Sequence, residues 1–468
     1  MKQGFLDWLD AQQGRQYELH ERHLNPAFVK MLRTIGFDKS YIRGQGEWLF
    51  DSDGHRYLDL LTGWGMFALG RNHPRVRVIL EEVLSRDMPN LVRMDCSLLA
   101  GLVAEKLTRH ASTHSGAKLS RVFFCNSGTE SVEGAIKFAR CCTRKSRILF
   151  CDHAFHGLTM GSLALNGSDF FRDRFGDPMP NTAKIPFNDL AALEQALHGK
   201  DVAAFVVEPV QGKTCEVAAD GYLAEASRLC RKAGALLVAD EVQCGLGRTG
   251  KWFAFQHWPG VEPDIVCVAK ALSGGYVPVG AVITSPRIMD SVFDSMEHCV
   301  VHSNTFGQND LAMASALATL QVMEEDRLPA NAARLGEHAI ARLTEMGRSC
   351  PFVFEVRGKG MMFGIDFRRP ESSLKLKAAW DALHLLNEGV FSQTVIVPLM
   401  HEHRILAQVA GYHTELIKFL PPLNIGDEAL EYFLTAMEQV LGGLQRVPGS
   451  AWETVRTLAR GAAQQLTR

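Results

Sequence analysis

The chain has 468 residues, 46% hydrophobic and 22% charged, enough apolar side chain for one large or two ordinary domains with substantial cores. A net charge of −2 leaves no basic excess to hold nucleic acid or an anionic membrane surface. No apolar run reaches the roughly 18 residues that would suggest a membrane span.

Asp7 and Asp10 interrupt the N-terminus where a secretory leader would be unbroken. The eleven cysteines are odd in number and lack framework spacing, and Cys125, Cys151 and Cys267 fall inside apolar runs where a reduced thiol packs as a small hydrophobe. A cytoplasmic location is therefore expected. Residues 1–35 read as helical, with Phe5, Leu6, Trp8 and Leu9, then Phe28, Val29 and Leu32, at roughly helical spacing. GEWLFDSDGHRYLDLL alternates apolar and polar residues around Ser52-Asp53-Gly54, the chemistry of a hairpin turn.

From about 95 to 310 the pattern changes to short apolar runs: RVFFC (121–125), RILFC (147–151), VAAFVV (202–207), ALLVA (235–239) and DIVCVA (264–269). Amphipathic stretches such as GYLAEASRLCRKAG separate them, with Leu223, Ala226, Leu229, Cys230 and Ala233 on one face. Continuous rather than alternating strands, divided by helices, predict an α/β fold with a mainly parallel sheet buried on both sides. Ligands of such sheets collect at the carboxyl ends of the strands. Asn126 to Thr129, Asp152 to Phe155, Glu208, Asp240 and Lys270 should therefore converge on one site. After about 325 a long helical stretch, NAARLGEHAIARLTEMG, leads to a second helix near 373–388, short strands and IKFLPPLNI, the pattern of a smaller α+β domain. The expected division is 1–65 contributing to the small domain, 66–325 as the large domain, 326–446 returning to the small one, and a terminal helix over 447–468.

Asp240 and Lys270 each close an apolar strand, and burying either charge alone costs several kcal/mol. One partner answers both: a ring with an aldehyde for the lysine and a basic nitrogen for the aspartate, as in pyridoxal phosphate. Ser127 followed by Glu130 is, as a bare pattern, a helix capping box, although Gly128 and Thr129 at a helix N-terminus also offer N–H groups and a hydroxyl to a phosphate. Phe155 reads as ordinary core or as a ring stacked on a planar cofactor. His401 and His403 lack the thiols or acids of a metal site and read as a solvated loop, so no metal is expected. GLGRTG (245–250) fits a dinucleotide-binding pattern, but KWFAFQHWPG after it is a poor helix and Asp240 and Lys270 would stay unexplained. A nicotinamide-dependent dehydrogenase is the weaker alternative.

In chain order NSGTESVEGAIKFAR, AFHG, EPVQG, VADEVQCGLGRTG, AKALSGGYVPVGA, HSNTFGQNDLAMA, RGKGMMFGID and IKFLPPL resemble the class III (ornithine/4-aminobutyrate type) aminotransferases that use pyridoxal phosphate. The resemblance spans roughly 25–445 and implies the type I fold of aspartate aminotransferase. It also implies transamination between a primary amine or amino acid and a keto acid or aldehyde. An aminomutase, decarboxylase or racemase on the same fold remains the alternative within that cofactor class. By position, Lys270 matches the Schiff-base lysine, Asp240 the ring-nitrogen partner, Gln243 the residue reaching the ring's 3-oxygen, and Ser127, Gly128 and Thr129 the phosphate cup. Phe155 matches the stacking aromatic, and Thr305 a threonine that reaches the cofactor phosphate of a second subunit, which implies at least a homodimer.

Two departures bear on substrate. Leu158 and Lys418 stand where such relatives usually have arginine, and neither can reproduce a bidentate grip on a carboxylate. Glu208 matches the acid that masks the second arginine, so Lys418 is expected either to pair with Glu208 or to offer its single charge to the substrate. Loss of the first arginine favours an apolar or neutral amine, or an aldehyde on a longer lipid-like or polyketide-like chain. Trp64 and His156 are candidates for lining the mouth of the site.

Overall fold

Valine, isoleucine and phenylalanine crowd the five predicted runs, and all five become strands of a single sheet in the computed structural model, which describes residues 4–90, 95–112, 119–385, 389–411, 414–446 and 452. The strands are β1 (Arg121–Cys125), β2 (Arg147–Cys151), β3 (Thr182–Ile185), β4 (Val202–Val207), β5 (Leu236–Asp240), β6 (Ile265–Val268) and β7 (Gly280–Thr284). Their order across the sheet is β1-β7-β6-β5-β4-β2-β3. Neighbours from β3 to β6 run parallel, while β7 is antiparallel to both β1 and β6. Neither β3 nor β7 was anticipated: TAKI is short and carries a lysine, and GAVIT is entered through Pro278 and Gly280.

Burial on both faces removes the alternation expected of a half-exposed strand. Every residue of β4, β5, β6 and β7 is buried. Successive side chains still point to opposite faces: Leu236 and Val238 join one core, Leu237 and Ala239 the other. The first core is closed by helix α1 (Gly128–Thr143) through Val132, Ala135, Ile136 and Phe138. The second is closed in part by α2 (Tyr222–Ala233), whose buried Leu223, Ala226, Leu229 and Cys230 form the predicted stripe.

The two ends of the chain meet. Helices Phe5–Asp10, Gln16–His23 and Pro26–Ile35 lead into the predicted hairpin of Trp48–Asp51 with Arg56–Asp59. Ile405–Leu406 then joins that hairpin in parallel, Ile405 opposite Leu58. A separate antiparallel sheet holds Val353–Lys359, Met362–Phe367, Leu416–Phe419 and Gln408–Val409. The long helix is Leu328–Arg348 and the second Leu374–His384. Where short strands were expected, Gln393–His401 is a helix despite Pro398, so His401 ends a helix rather than lying in a loop. The predicted terminal helix lies outside the described residues apart from Trp452, which packs against Phe352 and Phe391. No described helix is long and apolar enough to cross a membrane.

GLGRTG does not open a helix. It forms consecutive turns, with Gly247 and Gly250 at φ +85° and +99°, where a side chain would be strained. Its use is Arg248, fully buried and donating to the carbonyls of Met361, Pro421 and Gly65. Burial pushes this guanidinium down to about 9. Arg248→Met would leave all three carbonyls without this donor, so unfolding free energy in urea should fall by about 3 kcal/mol or more. A loss under about 1 kcal/mol would show that water replaces the guanidinium.

Candidate active site

Asp240 is the last residue of β5 and is 3% exposed. Its Oδ2 is 2.6 Å from His156 Nδ1, and its Oδ1 accepts the Val242 N–H at 3.0 Å. With Asp240 accepting, the imidazole donates through Nδ1. Its place is set by the loop after β2: His156 N–H donates to Asn166 Oδ1 at 3.2 Å, and Asn166 Nδ2 donates to the Gly157 carbonyl at 2.7 Å. Burial works against a charged imidazole, but the hydrogen bond to Asp240, with the charges of Asp240 and Glu208, outweighs it and raises the His156 pKa. His156 does not line the mouth of the site, as the sequence suggested; it is buried behind Asp240.

Lys270 follows β6 and is half-buried. Its φ is +33°, a strained setting for a lysine. No described residue hydrogen-bonds or ion-pairs with its amine. Burial lowers its pKa, opposed by the nearby charges of Asp240 and Glu208.

At the N-terminus of α1, Ser127 Oγ accepts the Glu130 N–H at 3.3 Å. The Glu130 carboxylate reaches back to the N–H of Asn126 at 2.7 Å, one residue earlier than in a simple capping box. A Cβ on Gly128 would lie 2.6 Å from Val242 Cγ1, so the helix start packs directly on the segment that carries Asp240. Thr129 Oγ1 meets Thr159 Oγ1 at 2.7 Å and Ser162 Oγ at 2.5 Å. Gly157, at φ +131°, lets these hydroxyls meet, since a Cβ there would sit 2.3 Å from Thr129 Oγ1.

Glu208, just past β4, accepts the Phe155 N–H at 3.1 Å and the Gly212 N–H at 2.8 Å. Burial, then the nearby Asp240 charge, raises its pKa against the opposing pull of His156. The expected Glu208–Lys418 pair does not form. Lys418, 3% exposed, instead donates to the Gly212 carbonyl and to Gln243 Oε1, the latter at 2.9 Å. Both side chains thus hold Gly212, one by its N–H and one by its C=O. Burial pushes Lys418 down to about 7. Gln243 in turn donates to the Trp64 carbonyl at 3.0 Å.

Phe155 packs edge-on against Phe171, ring centres 5.3 Å apart. Lys213, which sequence reasoning missed, places Nζ 4.7 Å from the Phe155 ring centre and 5.0 Å from that of Phe171. Its only sequence signal was a charge straight after EPVQG, where a solvated loop is the default reading. Leu158, Trp64 and Thr305 are exposed, and no described residue bonds to the Thr305 side chain.

The strand-end residues do meet, and they fit pyridoxal phosphate. Lys270 offers an amine without a protein partner, Asp240 an oriented carboxylate, and α1 a capped N-terminus with a glycine at closest approach. Residues 36–441 match the family model described as aminotransferase class-III, and the chain belongs to that family. The aminotransferase PigE of Serratia sp. (strain ATCC 39006) is 32% identical over 93% of this chain, which spans about half (54%) of that relative's length. The ornithine aminotransferase of Toxoplasma gondii, whose active site held pyridoxal phosphate at partial occupancy, superposes with a TM-score of 0.78 at 27% identity, covering 95% of this chain and 99% of its own. An (S)-enantioselective omega-transaminase from Thermomicrobium roseum gives 0.76 at 28% identity, over 91% and 97% of the two chains. The fold is that of the type I aminotransferases.

Glu241, next to Asp240, is neither a surface acid nor part of an ion pair. Its carboxylate accepts the N–H groups of Ala254 and Phe255, each at 2.8 Å, and burial raises it from 4.5 to about 7. A raised carboxyl gives stability that is complete below pH 4.5 and lost as pH rises through about 7. Wild type should therefore lose up to about 3 kcal/mol relative to Glu241→Gln between pH 4 and 8, measured by urea unfolding of both. A constant difference across that range would show that the carboxyl titrates alike folded and unfolded.

Proposed function

We propose that this site transfers an amino group between a primary amine or amino acid and a keto acid or aldehyde, with pyridoxal phosphate carried by Lys270. Membership of the class-III aminotransferases defines the reaction class and its cofactor. The observation supporting the assignment of residues is the unpartnered amine of Lys270, which follows the strand paired directly with the one that ends in the oriented carboxylate of Asp240.

The cofactor, when bound, supplies an electron-accepting ring that carries the amino group from donor to acceptor. Lys270 would hold its aldehyde carbon, Asp240 its ring nitrogen, and Ser127, Gly128 and Thr129 its phosphate, with Phe155 against the ring. Gln243, whose amide is held by Lys418 and Trp64, would reach the ring's 3-oxygen. Burial lowers the pKa of Lys270, so its amine reaches the neutral, proton-accepting form more readily than an exposed lysine. Lys270 Nζ would then be the group placed to take a proton from the substrate carbon and give it back. His156 donates to the Asp240 carboxylate and aims it.

Exposed Leu158 and Trp64 beside these residues favour substrates with an apolar chain. Exposed Met296, Val300, Val301 and Phe306, flanking Thr305, support a homodimer in which this segment is covered by a second subunit. We also propose 66–325 as the cofactor-holding unit and 1–65 with 326–446 as the smaller one, supported by the parallel pairing of Ile405 with Leu58. Free thiols at all eleven cysteines support a reducing cytoplasm.

Lys270→Ala should lose the visible absorbance of the lysine-bound cofactor together with turnover, and normal turnover in that variant would overturn the assignment. Asp240→Asn should lower kcat by about two to four orders of magnitude, since a broken buried ion pair costs roughly 3–5 kcal/mol. Steady-state rates within tenfold of wild type would show that the ring nitrogen is held elsewhere.

A further inference from the structure

We propose that Lys213 is the cation that receives a carboxylate carried by the amino donor, at the mouth of this site. The inference deepens the transamination reading and rests on it.

Lys213 follows Gly212, the residue fixed through its N–H by Glu208 and through its C=O by Lys418. The peptide that leads into Lys213 is therefore held at its carbonyl. The ammonium lies over Phe155, the ring proposed to face the cofactor, and over Phe171, at 4.7 and 5.0 Å. Aromatic faces stabilise a cation without using its N–H donors, so all three remain to be satisfied. No described residue accepts a hydrogen bond from Lys213 or forms an ion pair with it. The side chain is half-buried, so water meets that need only in part.

The neighbouring cations are already engaged. Lys418 is buried and donates to Gly212 and Gln243. Arg357 donates to the Thr214 carbonyl and pairs with Glu355 and Asp366. Arg248 is bonded to three carbonyls away from solvent. Lys270 is assigned to the cofactor. Leu158 offers an incoming carboxylate nothing. That leaves Lys213, whose pKa burial lowers and Glu208 raises, as the described cation that an anion would relieve.

The carboxylate has two sources, the α-carboxylate of an amino acid or the distal one of an ω-amino acid. Three donors separate them: L-alanine, 4-aminobutyrate and 1-aminobutane, which has no carboxylate. Each would be mixed with wild-type, Lys213→Gln and Lys213→Arg holoenzyme while conversion of the cofactor to its amino form is followed in the visible spectrum. Binding of propionate, which has the carboxylate and no amino group to react, would be measured on the same proteins by calorimetry. We expect Lys213→Gln to lower the ratio of carboxylated-donor to 1-aminobutane kcat/KM by tenfold or more, with Lys213→Arg recovering most of it. Propionate affinity should fall by a similar factor in Lys213→Gln. The carboxylated donor whose ratio falls identifies the source. An unchanged ratio, or propionate binding equally to wild type and Lys213→Gln or not at all to wild type, would overturn the proposal. Turnover persisting in Lys270→Ala would instead overturn the transamination reading, so the two fail separately.

Discussion

Asp240 ends the central strand of a sheet buried on both faces, and at 3% exposure its charge has to be met by partners that the rest of the chain supplies. His156 comes from the loop after β2, 84 residues earlier, and the Val242 N–H from the turn that follows. The imidazole is held by Asn166, which also fixes the Gly157 carbonyl, and Gly157 is the glycine that lets Thr129 meet Ser162. A continuous set of contacts therefore runs from the carboxylate to the N-terminus of α1. The ring-nitrogen end and the phosphate end proposed for one cofactor are parts of one packed arrangement, and moving either strains the other.

The other edge of the site depends on segments far apart in sequence. Gly212 lies past β4, yet one of the two side chains holding it comes from the strand Leu416–Phe419 in the C-terminal sheet. Gln243 extends this link to Trp64 near the N-terminus, and Arg248 ties Gly65, Met361 and Pro421 to the turn after β5. Burying the ammonium of Lys418 is unfavourable and pushes its pKa down to about 7, and its acceptors at Gly212 and Gln243 offset that cost. These polar links couple docking of both chain ends to the geometry of the site.

Much of this was legible in the chain because burial on two faces leaves an unbroken apolar run, and the residue ending such a run is easily seen. RVFFC, RILFC and VAAFVV announced themselves in that way, and so did Asp240 and Lys270. The Ser127 cap was legible because its hydrogen bond spans only three residues. What the sequence hid depends on distant contacts. His156 looked like a residue of the mouth because nothing local ties it to Asp240, and Lys418 looked like the partner of Glu208 because the resemblance pairs that acid with the arginine Lys418 replaces. The helix Gln393–His401 was missed since Pro398 argues against it, while the core that buries Thr394 to Met400 argues more strongly for it.

Charge at the mouth of the site differs in kind from a guanidinium grip. A guanidinium fixes a carboxylate in two places and so fixes the distance to the reacting carbon. Lys213, if it holds the donor's carboxylate, is a point charge on a flexible stem, steadied by two aromatic rings rather than by an acid. Such a cation attracts carboxylates without setting their distance sharply. Selection among donors then passes to the shape of the neighbouring apolar wall, where Leu158 and Trp64 are exposed. A donor carrying both a carboxylate and an apolar chain would satisfy the two features together, which a 4-aminobutyrate-type donor, charged at its far end and without an apolar branch, does less well.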